Sequence, residues 1–130
     1  MTATYTHEVR VRYADCDMQR IVFNAHYLAY VDDASECWMR SIMDGSYETW
    51  GFDFVLKRAD IVWHGAATVG NVIAIDVEPK GWGRTSFEVG FDGRVGDRQI
   101  FTATITYVSV TPGTTDPVPP PEDVKAVIGP

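Results

Sequence analysis

The chain has 130 residues, a formal net charge of −7 and a composition that is 45% hydrophobic and 12% aromatic. That length and apolar content describe one folded domain, residues 1–130, and exclude a disordered chain. The acidic balance argues against broad nucleic-acid binding, which needs clustered Lys and Arg to neutralise phosphates. No apolar run is long enough to cross a bilayer and no basic-then-apolar leader opens the sequence, so a cytoplasmic protein with no membrane partner is expected.

Tyr5 to Tyr13 alternates, with Tyr5, Val9, Val11 and Tyr13 on one parity and Glu8, Arg10 and Arg12 on the other, which predicts a half-buried strand. A helix follows over Leu28–Met43, with Leu28, Val31, Ser35, Trp38 and Ile42 forming an apolar stripe and Asp44-Gly45 stopping it. After a loop from Ser46 to Phe52, four strands are predicted at Phe54–Trp63, Val72–Val77, Ser86–Val95 and Gln99–Val110. Gly96-Asp97 joins the last two as a hairpin. Residues 111–130 form a Pro-rich tail, with a short helix possible after Pro121. One helix cannot cover both faces of a five-stranded antiparallel sheet but can fill the concavity of a curled one. The sheet would keep an exposed edge, which a second copy of the chain would cover.

Between the first strand and the helix stand two carboxylates, Asp15 and Asp17. A carboxylate in a strand-to-helix connection lies near a helix N-terminus, where unpaired N–H groups and the dipole stabilise a developing oxyanion. Asp17 therefore reads as an acid, base or nucleophile for acyl chemistry, or as a cap on the turn that follows it. Asp15 reads as a loop-ordering group that accepts backbone hydrogen bonds. His26 lines the site or serves as a base; His7 and His64 carry no signal. Cys16 and Cys37 show neither disulfide-framework nor zinc spacing, and Cys37 reads as helix packing.

Asp15-Cys16-Asp17, Ile21-Val22, Tyr27 and the helix after them resemble the opening of the 4-hydroxybenzoyl-CoA thioesterase family of hotdog-fold acyl-CoA thioesterases. A second match is Gly81-Trp82-Gly83-Arg84-Thr85-Ser86-Phe87, where that family has a basic, Ser-containing strand start. The order of predicted elements agrees from about Tyr5 to Val110. The resemblance implies an α+β hotdog fold: a curled antiparallel five-stranded sheet wrapped around one long central helix. It also implies hydrolysis of an acyl-CoA or acyl-carrier-protein thioester to a free carboxylic acid and a thiol, in a homodimer or tetramer whose site lies at a dimer interface. Asp17 would be the nucleophile or general base and the Asn24 backbone amide the oxyanion donor. Ile21, Val22, Phe23, His26, Tyr27 and Asp32 would surround the substrate.

Lys80, Trp82, Arg84, Thr85 and Ser86, with Lys57 and Arg58 among the nearby cations, combine positive charge, flexible backbone and an aromatic surface suited to coenzyme A. A glycine-softened hairpin with ordinary surface charge explains the same residues. Coenzyme A is then part of the substrate, and no separate cofactor or metal is expected. The departure from the family pattern is Arg20, where glycine is usual. A branch of these thioesterases carries its carboxylate on the helix, which makes Asp32, Asp33 and Glu36 rivals to Asp17. A hydratase or dehydratase on the same fold would need a His–acid pair in contact, and a non-catalytic acyl- or aromatic-binding protein is the remaining alternative.

Overall fold

Residues 101–107 place Phe101, Ala103, Ile105 and Tyr107 on the buried face of a strand and Thr102, Thr104 and Thr106 on the other, as a two-residue period dictates. The computed structural model describes residues 3–43 and 50–129. In chain order these form β1 (Tyr5–Arg10), a 3₁₀ turn (Tyr13–Asp15), α1 (His26–Ile42), β2 (Asp53–Trp63), β3 (Val72–Trp82), β4 (Ser86–Val95), β5 (Arg98–Val110) and α2 (Glu122–Ile128). The expected helix stop at Asp44-Gly45 and the loop at 46–49 lie outside the described residues. Among the described residues no helix is long and apolar enough to cross a membrane.

The strands form one antiparallel sheet in the order β1-β3-β4-β5-β2. Its inner face carries Ile73, Ile75 and Val77 of β3, Phe87, Val89 and Phe91 of β4, and the apolar set of β5. Gly93 pairs with Phe101, and the Phe101 ring lies so close over it that an added Cβ would meet a ring carbon at 2.2 Å. The predicted hairpin is present: Val95 pairs with Arg98, and Gly96 takes the left-handed backbone (φ 59°) that the turn requires.

Helix α1 spans 17 residues and buries Tyr27, Tyr30, Val31, Ala34, Ser35, Trp38 and Met39, packing against β1 and β3. Its buried face is rotated from the expected stripe: Leu28 and Ile42 are half-buried, while two tyrosines, an alanine and a methionine complete the contact. The tail also reaches the core, because α2 buries Val124 and Ile128.

Two expectations about the strands are corrected. β1 ends at Arg10, and Tyr13, predicted to face inward, is 88% exposed. The cause is local: Val11 N–H still bonds Asn71 O, but Asp15 then accepts the Arg12 N–H and turns the chain away from the sheet. β3 runs to Trp82 rather than Val77, with a shift in pairing between Pro79 and Gly81. Pro79 lies beyond the end of β1, whose last partner on β3 is Val77, so a residue without an N–H is tolerated there.

Candidate active site

The connection from β1 to α1 is organised by Asp15, only 2% exposed. Its carboxylate accepts the Arg12 N–H at 2.9 Å, the Arg12 guanidinium at 3.0 Å and the Tyr30 hydroxyl at 2.8 Å, and lies 3.0 Å from His26 Nε2. Burial alone would raise its pKa, but the Arg12 and Tyr30 hydrogen bonds, with His26 nearby, outweigh it and hold the carboxyl at about 2. Burial, and then the Asp15 charge, pushes the Tyr30 hydroxyl up, so Tyr30 remains a donor. Asp15 is thus an ionised tie between the loop and α1, the loop-ordering role its sequence position implied.

Beyond it the chain makes a minimal hairpin. Cys16 bridges Val22, Asp17 N–H donates to Ile21 O, and Arg20 N–H returns to Asp17 O. Asp17 Oδ1 accepts the Gln19 N–H at 2.8 Å, an Asx turn that leaves the other carboxylate oxygen outside that bond. Among the described residues Arg20 is the sole non-glycine with positive φ, at 66°. Where the resembled family usually has glycine, an arginine here adopts the left-handed backbone, at roughly 1 kcal/mol of local strain. Arg20→Gly is expected to raise stability by at most about 0.5 kcal/mol in urea denaturation, because the added freedom of the unfolded chain offsets much of the relieved strain, and the β-branched Arg20→Val to lower it.

Asp17 lines a cavity of about 280 Å³ together with Ile21, Val22, Asn24, Tyr27 and Trp63. The segment joining β2 to β3 supplies its far wall through Gly65 and Ala66. That wall is fixed: His64 and Gly65 N–H groups both donate to Ile100 O, the Arg98 guanidinium donates to Ala66 O, and Val22 N–H donates to Ala67 O. On its other side Asp17 borders a larger cavity, about 680 Å³, with Cys16, Met18, Arg20, Thr68 and Val69. Sequence reasoning missed Gly65 and Ala66, which reach the site only through tertiary contact.

Asn24 stands two residues before α1. Its carbonyl accepts the Tyr27 N–H at 3.4 Å, and His26 N–H donates to Phe23 O. Among the described residues the Asn24 and Ala25 N–H groups have no acceptor within the chain, as expected at a helix start. The N-cap position is Ala25 and carries no side-chain cap.

The remaining predicted residues are not brought to this cavity. Phe23 is exposed, and His26 is turned onto Asp15 and edge-on to Tyr30 at 4.9 Å between ring centres. Asp32 lines a separate cavity of about 220 Å³ with Ser35, Glu36, Phe54, Leu56 and Tyr107, and desolvation raises its carboxyl. Glu36 is paired with Arg40. The Cys37 thiol is pushed up by burial and then by Asp33 and Glu36, the opposite of what a nucleophile needs.

Lys80, Trp82 and Ser86 line a depression of about 360 Å³ at the β3–β4 turn, which Gly83 N–H closes on Ser86 O. Arg84 is exposed there, and the Thr85 carbonyl accepts the Ser109 N–H. Trp82 is already engaged: its ring packs on Phe87 at 4.7 Å, Lys125 Nζ lies 5.6 Å from its centre, and its indole N–H donates to Gly129 O. Arg58 pairs with Asp60 within β2 instead of joining that turn. Along β3 the turn lies at the end opposite the Asp17 cavity, roughly 30 Å away at the rise of a strand.

The chain belongs to the thioesterase-like superfamily, whose pattern matches residues 11–128. A thioesterase-superfamily protein from Jannaschia sp. CCS1 superposes with a TM-score of 0.88 at 21% identity, covering 98% of this chain and 91% of that one. A 1,4-dihydroxy-2-naphthoyl-CoA thioesterase from Synechocystis gives 0.83 at 19% identity (95% and 94%), and a gentisyl-coenzyme A thioesterase 0.86 at 17% (96% and 100%). These likenesses establish the hotdog fold. Comparison with curated protein sequences gives no match.

Proposed function

We propose that the chain hydrolyses an acyl-CoA or acyl-carrier-protein thioester, with Asp17 as nucleophile or general base. The observation that carries this reading is that Asp17 and the Asn24 stretch ahead of α1 line one cavity. A thioester carbonyl held there would present its carbon to the carboxylate and its oxygen to the Asn24 N–H and the positive end of α1. Attack by Asp17 gives a mixed anhydride that water opens; activation of water by Asp17 gives the tetrahedral adduct directly. Either way the C–S bond breaks, the acyl group gains hydroxide and the departing thiolate takes the proton.

In this reading the sheet curls around α1 and the chain works as a homodimer or tetramer. β2 is an edge strand of 11 residues that leaves Val55, Leu56, Val62 and Trp63 exposed. Trp63, 49% exposed, also lines the Asp17 cavity, so a second copy seated on this edge would roof the site. The distance along β3 means that Lys80, Arg84 and Ser86 would meet the phosphates of a substrate held by another copy. A cytoplasmic location suits that substrate class, and coenzyme A enters as substrate alone.

The test is thiol release from aromatic, short-chain and long-chain acyl-CoAs and from acyl-carrier-protein thioesters. Aromatic acyl groups head the panel because of the Tyr27 and Trp63 lining and the aromatic substrates named for two of the similar structures. Release from any of them supports the reading; none from the whole panel sinks it. The contact between His26 and Asp15 keeps the hydratase alternative open. That activity would consume an enoyl-CoA without releasing thiol.

A further inference from the structure

β1 and α1 bring together three side chains for which thioester hydrolysis has no use. Asp33 and Cys37 are four residues apart and so project from one face of α1. His7 shares the inward parity of β1 with Tyr5 and Val9 and meets that face. Its Nε2 lies 2.8 Å from Asp33 Oδ2, and one imidazole nitrogen, one carboxylate oxygen and the Cys37 Sγ all fall within 4.8 Å of one another. The His7 side chain is 14% exposed and that of Asp33 57%, so the cluster is walled on the sheet side and open through Asp33.

We propose that His7, Asp33 and Cys37 form a binding site for zinc or a similarly thiophilic divalent cation. The donor set selects the metal: imidazole, thiolate and carboxylate suit zinc, whereas magnesium and calcium require oxygen cages. A tetrahedral zinc ion at ordinary bond lengths holds its ligand atoms roughly 3.5 Å apart. The cluster lies within a small side-chain rotation of that spacing. The His7–Asp33 contact is the bond the cation replaces. Two ligands one helical turn apart with a third from a neighbouring element is an established way to build such a site, and three protein ligands leave the fourth position to solvent on the Asp33 side. Sequence spacing conceals the site because His7 precedes Asp33 by 26 residues. Bound metal would pin the edge strand β1 to α1, since a cation that binds the folded chain alone stabilises it.

The test is titration of the full chain, freed of metal with a chelator, with cobalt(II) and then with zinc. The expected result is one cobalt per chain with a thiolate-to-cobalt charge-transfer band, displaced by zinc, and a zinc-dependent rise in Tm. Cys37→Ser removes the band, His7→Gln weakens binding by about 10-fold or more, and Cys16→Ser changes neither. Should Cys37→Ser fail to fold by circular dichroism, the surface variant Asp33→Asn is read instead and must weaken binding likewise. Absence of stoichiometric uptake overturns the proposal. So does a band that survives Cys37→Ser, or is lost in Cys16→Ser.

Discussion

On the proposed mechanism, Asp17→Asn is expected to lower kcat for thioester hydrolysis by about 10²–10⁴-fold, the range for a removed acid–base group, with fold and ligand affinity retained. The amide oxygen of asparagine can still accept the Gln19 N–H that the Asp17 carboxylate accepts at 2.8 Å, so the turn keeps its Asx bond. On that mechanism, what disappears is the nucleophile or base. The loss should therefore fall on kcat in single-turnover thiol release, while calorimetric binding of a non-hydrolysable acyl-CoA thioether stays within a few-fold of wild type. Asp32→Asn is the companion variant, because Asp32 lines its own cavity beside Ser35 and Glu36. A large loss in Asp32→Asn with Asp17→Asn active would move the chemistry to the helix. Loss of fold in Asp17→Asn would reduce Asp17 to a cap.

Asp15→Ala is expected to destabilise the chain by about 2–3 kcal/mol, the scale for leaving buried hydrogen-bonding groups without a partner. It leaves the buried Tyr30 hydroxyl and the Arg12 N–H without their acceptor. The same carboxylate sets an acid limit. Its folded pKa, about 2, lies below the ordinary carboxyl value of 3.8. It therefore contributes stability above the unfolded value, and that contribution drains away as pH falls from about 4 to about 2. The shift corresponds to something on the order of 2 kcal/mol. Urea midpoints measured across that window should fall steeply for wild type and less steeply for Asp15→Asn. Equal slopes would mean that the folded carboxyl titrates normally.

Most of the sheet was legible because its strands carry a two-residue period: β4 and β5 were placed within a residue, and Gly96-Asp97 announced their turn. The helix was legible in extent but less so in orientation, since Tyr27 and Tyr30 carry hydroxyls and Ala34 is small, yet all three pack inward. β3 extends past the predicted end at Val77 and runs through Pro79, although proline ordinarily signals a strand's end. It does not do so past the end of β1, where a ladder partner is already missing. The Asp15 hub was half visible: its backbone role follows from a neighbouring residue, but Tyr30 stands 15 positions away. The far wall of the Asp17 cavity carried no local pattern, and neither did the engagement of Trp82 by the C-terminal segment.

The left-handed backbone of Arg20 (φ 66°) also bears on how this gene can vary. Every arginine codon is a single base change from a glycine codon, so the mutation that relaxes the turn is always one event away. A library screened for stability alone should gather glycine at position 20. One selected for the proposed thioesterase activity should hold arginine, if the guanidinium at the rim of the larger Asp17 cavity contributes to that activity.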